Sequence, residues 1–274
     1  MHRLIAVDVD GTLLDSAHRL TPRVQAAVRA ARARGIHVAL ATGKLLRSAA
    51  DLVEALALQG PQITNNGATI MPAAGGAPLR FWPLEPEPLA ATLSAIRRTD
   101  PELGIAWYTP DDILTDAPPG PLDDVLAAYH EPPLRRVAAL GAGLPEPAKL
   151  LVTGAPERLA ALRAAVTPPL LGVARIITTT PDFLEFFSLR VSKGIALEVI
   201  TAWLGLCREE VVAIGDGEND IALLDASGTA VAMANAVPAL RAHATATTAS
   251  NDADGVALAI ETLLAGGTLP GSPP

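Results

Sequence analysis

The hydrophobic positions of this chain fall into short unbroken runs, separated by helix-length stretches that are apolar on one face. "LIAV" at 4–7 is apolar at every position and stops at Asp8. Such a run is the pattern of a strand covered on both faces, as in a parallel sheet. "LTPRVQAAVRAARARG" (20–35) follows, with Thr21 as N-cap, Pro22 at the first helical position and Gly35 just past the end. That punctuation predicts a helix. "IHVALATG" (36–43) reads as a second buried strand, residues 45–58 as a second helix, and "PQITNNGATI" (61–70) as a third strand ending in an Asn-Gly turn. The order β-α-β-α-β predicts a doubly wound parallel sheet.

The texture changes after "MPAAGGAPLRFWPLEPEP", whose glycine, alanine and proline clusters read as a linker. From 85 to 188, helical stretches ("LAATLSAIRR", "PLDDVLAAYH", "PERLAALRAAV") alternate with strand-like ones ("GIAWYT", "KLLVTG", "ARIITTT", "FLEFFSL"). This predicts a second α/β unit inserted into the first. At "VSKGIALEVITAWLG" the doubly wound pattern resumes, with a helix over 192–204, the strand "EEVVAIGDG", the helix "NDIALLDAS" and further strand–helix alternation. The expected organisation is a Rossmann-like core in two segments, 1–84 and 189–274, around an α/β insert at 85–188. The tail "GGTLPGSPP" is expected to be disordered.

Composition narrows the class. Half of the 274 residues are hydrophobic, which fits a globular chain. No apolar run reaches the roughly 18 residues of a membrane span, and the start lacks the features of a secretory signal. A single cysteine, Cys207, excludes an internal disulfide, suits a cytoplasmic setting and reads as a buried apolar residue before a strand. A formal charge of −8 argues against a nucleic-acid surface. Of 21 basic residues only Lys44, Lys149 and Lys193 are lysines, so each is worth checking for a chemical reason.

Ligands of open α/β sheets bind beyond the carboxyl ends of the strands. Four clusters belong at that edge: "DVDGT" (8–12), "ATGK" (41–44), "SKG" (192–194) and "GDGEND" (215–220). Asp8, Asp10, Asp216 and Asp220 could share a pocket only with a compensating cation, and hard oxygen ligands favour Mg²⁺. Thr42-Gly43, at an expected helix N-terminus, offers a hydroxyl and an N–H to an anion, and Lys193 is a point charge suited to phosphate. Together they describe a phosphoryl-transfer site.

In order and spacing, "DVDGTLLDS", "ATGK", "NNGA", "RVSKG", "GDGENDI" and "SNDADGVALAI" resemble the haloacid dehalogenase superfamily of aspartyl phosphatases. The likeness is greatest to its Cof-type branch, whose α/β cap follows the third core strand. It covers both core segments, while the insert matches in size and position. The resemblance implies a Mg²⁺-dependent phosphomonoester hydrolase acting on a small phosphorylated metabolite through an aspartyl-phosphate. Asp8 would be the nucleophile and Asp10 the general acid, then base. Thr42 and the Gly43 backbone would hold phosphoryl oxygens, with Asn219 placed to contact phosphate, and Lys193 would neutralise charge. Asp216 would complete the Mg²⁺ shell with Asp8 and the Asp10 carbonyl, supported by Asp220. The family usually has Arg where Lys44 stands, which removes a bidentate contact.

Other readings are weaker. The only "GK", at 43–44, has Val38 where a P-loop needs glycine and Leu45 after the lysine. No G-x-S-x-G is present for a serine hydrolase. A phosphate-sensing receiver domain would be shorter and capless, whereas a phosphomutase or other phosphotransferase of the same superfamily uses the same aspartyl chemistry and stays open. The five histidines show no metal spacing and read as structural or exposed. Asn65-Asn66-Gly67 reads first as a tight turn, and Trp82, Trp107 and Tyr108 first as core of the insert, with a sugar platform second.

Overall fold

Leu4–Val7 (β1) lies at the centre of a parallel sheet, its four side chains buried. A computed structural model describes residues 2–271, and these divide into two units. The first holds the residues up to Gly43, Ala49–Leu79 and those from Ser192 onward. Its elements are α1 (Pro22–Ala33), β2 (His37–Leu40), α2 (Ala50–Ala55), β3 (Pro61–Thr64) and β4 (Thr69–Pro72). The second unit, residues 44–48 and 80–191, holds the next elements. These are β5 (Arg80–Phe81), α3 (Pro86–Thr99), β6 (Ile105–Tyr108), β7 (Ile113–Thr115), α4 (Pro121–Ala128), β8 (Arg135–Arg136), β9 (Lys149–Thr153), α5 (Pro156–Leu170), β10 (Arg175–Thr180) and β11 (Phe183–Phe187). The first unit then resumes with α6 (Lys193–Trp203), β12 (Val211–Gly215), α7 (Ile221–Asp225), β13 (Thr229–Ala232), α8 (Pro238–Arg241), β14 (Ala246–Thr247) and α9 (Gly255–Leu264).

In the first unit the sheet order is β14-β13-β12-β1-β2, parallel throughout. The register pairs Leu4 with both Val211 and His37, so the tips of β1 and β12 end side by side. That adjacency brings "DVDGT" next to "GDGEND". Thr21 caps α1 as predicted, its hydroxyl accepting from the Val24 N–H, with Pro22 in the first turn.

Three expectations change here. The helix expected over 45–58 is reduced to a 3₁₀ turn at Arg47–Ala49 and the short α2. Leu45 instead packs in the core of the second unit, beside Tyr108 and Phe183. The strand at Pro61–Thr64 turns back on itself: β3 and β4 form an antiparallel hairpin, and a single bridge, Ala41 to Ile63, joins β3 to the sheet edge. Part of the tail is ordered, because Leu269 is buried and the Thr247 N–H donates to the Pro270 carbonyl, while residues 272–274 lie outside the described residues.

The second unit is a six-stranded sheet in the order β10-β11-β9-β6-β7-β8. Its central strands β6 and β9 are buried on both faces because each face has its own cover. Ile105, Trp107, Leu150 and Val152 face a core with residues of α3 and α5, whereas Ala106, Tyr108 and Leu151 face one with Leu122 and Leu126 of α4. The period of two thus explains why Trp107 and Tyr108, adjacent in sequence, are both buried. Buried within this sheet, Lys149 pairs with Glu185 at 2.5 Å and lies 4.3 Å from the Tyr108 ring centre. Lys44 is also buried here, and its charge acts on Glu131, whose carboxyl burial nonetheless holds above the usual range. Among the described residues no helix is long and apolar enough to cross a membrane. Cys207 is exposed rather than buried, because it caps a 3₁₀ turn, its N–H donating to Glu210, before the strand begins.

Candidate active site

Asp8 sits where β1 ends, and the chain then turns tightly through Val9–Leu13. Gly11 permits this turn with φ +77°, and a side chain there would strike the Asp216 carboxylate at 2.5 Å. Asp216 follows β12 directly, and its Oδ1 accepts a hydrogen bond from the Thr12 hydroxyl at 2.7 Å. Asp220 lies in the next turn, where its Oδ2 accepts from the backbone N–H groups of Asp216 and Gly217. The glycines of "GDGEND" make room for it, since an added Cβ at Gly215 would lie 2.6 Å from the Asp220 Cβ.

Lys193 enters from the first position of α6, with Ser192 as the N-cap. It is 1% exposed, and its Nζ lies 2.6 Å from both Asp8 Oδ1 and Asp220 Oδ1. A lysine in the first turn of a helix opposes the helix dipole, so the two carboxylates are what hold it there. Two contacts seat the helix end. A Cβ at Gly67 would lie 2.2 Å from the Ser192 carbonyl oxygen, and one at Gly194 would lie 2.1 Å from that of Ala222. Gly194→Ala is therefore expected to push α6 off α7. Overpacking of this kind costs about 1–3 kcal/mol, so thermal unfolding should begin several degrees lower and any turnover that depends on the Lys193 ammonium should fall at least about tenfold. Wild-type behaviour in both assays would show that Lys193 does not depend on this packing.

Oxygens of Asp8, Asp216 and Asp220 lie within 4.8 Å of one another. Burial pushes the Asp8 carboxyl well above the usual carboxylate range, and the charge of Asp220 pushes the same way against the pull of Lys193. Burial and Asp220 likewise push Asp216 up to about 6. Burial alone would lower the Lys193 ammonium, but Asp220 and Asp8 hold it above the ordinary lysine value. Two carboxylates thus contact one ammonium, and a third lies within its field, in a largely buried cluster. Such a set of hard oxygens with surplus negative charge fits a divalent cation of the Mg²⁺ type.

Thr42 is buried just beyond the end of β2. Its N–H donates to Ile63 and its carbonyl accepts from Asn66. The expected helix N-terminus at Thr42-Gly43 is absent, because α2 begins only at Ala50. Instead the "NNG" turn backs the loop: Asn65 and Asn66 both adopt left-handed backbone, and the Asn66 side chain lies against the Gly43 backbone. Asn66 Oδ1 accepts from Asn219 Nδ2 at 3.0 Å, linking "ATGK" to "GDGEND". Asp10 is partly exposed, with its Oδ1 3.4 Å from His18 Nδ1.

Several participants carry no local signal. Thr12 lies inside a quoted motif, yet its link to Asp216 spans 204 residues. "SNDADGV" acquires a role only in space. Asn251 Nδ2 donates to the Leu14 carbonyl, and Asn235 Nδ2 donates to the Gly11 carbonyl, so both tie down the turn after Asp8.

Known proteins place this geometry. Residues 5–260 match the family described as haloacid dehalogenase-like hydrolases. The HMP-PP phosphatase of Cronobacter sakazakii is 31% identical over 247 residues, covering 89% of this chain and 88% of that protein. The 5-amino-6-(5-phospho-D-ribitylamino)uracil phosphatase YitU of Bacillus subtilis is 26% identical over 267 residues, with 93% and 94% covered. A haloacid dehalogenase-like hydrolase from Bacteroides thetaiotaomicron superposes with a TM-score of 0.85 at 28% identity, over 96% of this chain and all of that one. With its doubly wound core and carboxylate-lined strand tips, the chain belongs to the haloacid dehalogenase-like hydrolases and is a phosphatase of that family.

Proposed function

We propose that the site hydrolyses small phosphomonoesters through an aspartyl-phosphate on Asp8, with Mg²⁺ as cofactor. The observation that carries this reading is Lys193, held at 2.6 Å from both Asp8 and Asp220 at the end of the central strand. An ammonium there favours the ionised form of Asp8 and orients it for attack, against the effect of its burial. An Asp8 oxygen attacks phosphorus while the bond to the leaving oxygen breaks. The Asp10 carboxyl gives that oxygen its proton, and the alcohol departs. Asp10, now a carboxylate, takes a proton from water, whose oxygen attacks the phosphorus of the aspartyl-phosphate. Inorganic phosphate leaves and Asp8 is restored. Thr42, the Gly43 N–H and Asn219 hold the phosphoryl oxygens, and Lys193 offsets their charge.

Asp8, Asp216 and the Asp10 carbonyl would hold the cation, with Asp220 behind them. When bound, Mg²⁺ supplies charge neutralisation and alignment of the phosphoryl group. We assign residues 85–188 to a cap that selects the leaving group, with core segments at 1–84 and 189–274. The region 85–188 is acidic, with 14 acidic against 8 basic residues, which favours small monoanionic or dianionic esters over polyanions. A cytoplasmic setting suits the exposed, unpaired Cys207.

The test is phosphate release from a panel of sugar phosphates, nucleotides, cofactor phosphates and the two substrates named for the relatives, with Mg²⁺ and with EDTA. Chelation is expected to lower the rate by about a hundredfold or more, the several kcal/mol that a catalytic metal contributes. Undiminished release in EDTA would remove the metal from the reading, and an isomerised ester in place of free phosphate would make the protein a mutase.

A further inference from the structure

His18 lies eight residues beyond Asp10, in a surface loop that nothing in the catalytic reading uses. Its backbone is left-handed, with φ +56°, a conformation uncommon outside glycine that histidine tolerates better than most residues. The fold holds it there from two sides. Inside the loop, Asp15 is nearly buried, and its Oδ1 accepts from the N–H groups of Ala17 and Arg19 at 2.9 and 2.8 Å. The His18 N–H donates to the Asp15 carbonyl at 2.8 Å, and the Arg19 guanidinium closes on Asp15 Oδ2. From outside, Asp252 accepts from both the backbone N–H and the hydroxyl of Ser16, at 2.8 and 2.7 Å. Asp254 accepts from the Thr21 hydroxyl at 2.6 Å, where the loop passes into α1. The result of all this anchoring is an imidazole whose Nδ1 is 3.4 Å from Asp10 Oδ1.

We propose that His18 is a positioning residue that fixes the orientation of the Asp10 carboxyl for proton delivery to the leaving oxygen. The inference rests on the reading of Asp10 as general acid. Asp10 is partly exposed, and a side chain held against its carboxyl gives its rotamer a restraint that proton delivery requires. His18 supplies it by contact and exchanges no proton with substrate. In the phosphoryl-transfer step the proton still passes from Asp10 to the leaving oxygen as the phosphorus–oxygen bond breaks. The loop's ties to Asp252 and Asp254 also give "SNDADGV" a purpose: it holds the segment that holds the acid.

The readout is leaving-group dependence. An alkoxide leaving group needs the proton, whereas p-nitrophenolate departs without it. kcat/KM reports the phosphoryl-transfer step for both kinds of ester. His18→Asn tolerates the left-handed backbone while removing the ring, and His18→Gly is a second variant that fits the same φ. In either, kcat/KM for the best alkyl phosphate is expected to fall about tenfold more than for p-nitrophenyl phosphate, a fraction of what general acid catalysis contributes, with the thermal midpoint near wild type. Asp10→Asn serves as the control and should discriminate between the esters more strongly. If Asp10→Asn discriminates and the His18 variants lower both esters equally, or neither, the role of His18 is overturned and that of Asp10 stands. If Asp10→Asn does not discriminate, the acid reading fails and the inference falls with it.

Discussion

Asp8→Asn is expected to abolish phosphate release, by about 10⁴-fold or more, while leaving the metal-free protein at least as stable as wild type. The first half follows from chemistry, because an amide oxygen is no nucleophile toward phosphorus and removing a covalent nucleophile costs several orders of magnitude. The second half follows from electrostatics. The folded-state pKa of Asp8 is raised, chiefly by burial and then by Asp220, so above the unfolded carboxylate value its charge opposes folding. Asparagine keeps the shape, still offers an oxygen to Lys193 and removes that charge. A rise of a few degrees in the thermal midpoint without metal is the expected sign, with a smaller gain on adding Mg²⁺ than in wild type. Activity of the variant above about one per cent of wild type would exclude Asp8 as the nucleophile. A clear loss of stability would show that the carboxylate is already compensated.

Lys193→Met should have the opposite effect on stability. The side chain is nearly isosteric, but the change leaves Asp8 and Asp220 buried together with no cation between them. Breaking a buried pair by removing one partner costs about 3–5 kcal/mol, here from a site where one lysine serves two carboxylates. Denaturant unfolding should therefore show a large loss, together with a fall in phosphate release of about 10²-fold or more from the folded fraction. Added Mg²⁺ should restore part of the stability but little of the rate, because the metal can balance the carboxylates without standing where the ammonium meets the phosphoryl group. Stability equal to wild type without metal would mean that the two carboxylates are neutral in the folded protein, and the electrostatic picture of the site would have to be rebuilt.

The sheet was legible because "LIAV", "VAL" and "VVAIG" are buried apolar runs covered on both faces, with only the exposed His37 at the start of the second strand breaking the pattern. The site's acids were legible because they interrupt those runs at their ends. Scarcity was informative too: in a chain that otherwise uses arginine, all three lysines are buried, each with carboxylate charge nearby. What stayed hidden required knowing which core a residue serves. Residues 45–58 look like one amphipathic helix, yet Leu45 packs in the second unit and Val53 belongs to the first, and local periodicity does not distinguish two cores. His18 looked like an ordinary exposed histidine, since its proximity to Asp10 depends on a left-handed residue and on anchors at 252 and 254. No pattern in a short window encodes a contact across 236 positions.

Residues 44–48, finally, bear on how such proteins can be recombined. This five-residue segment follows the Thr42-Gly43 loop but belongs to the second unit, with Leu45 in its core and Ser48 donating to Glu131. The polypeptide therefore passes between the units four times, not twice. A chimera made by transplanting 80–191 alone would inherit a hole where Leu45 fits and a half-buried carboxylate without its hydroxyl. Inheritance of a new specificity module in this scaffold requires two pieces of gene to travel together, and the shorter one begins next to the residues assigned to phosphate.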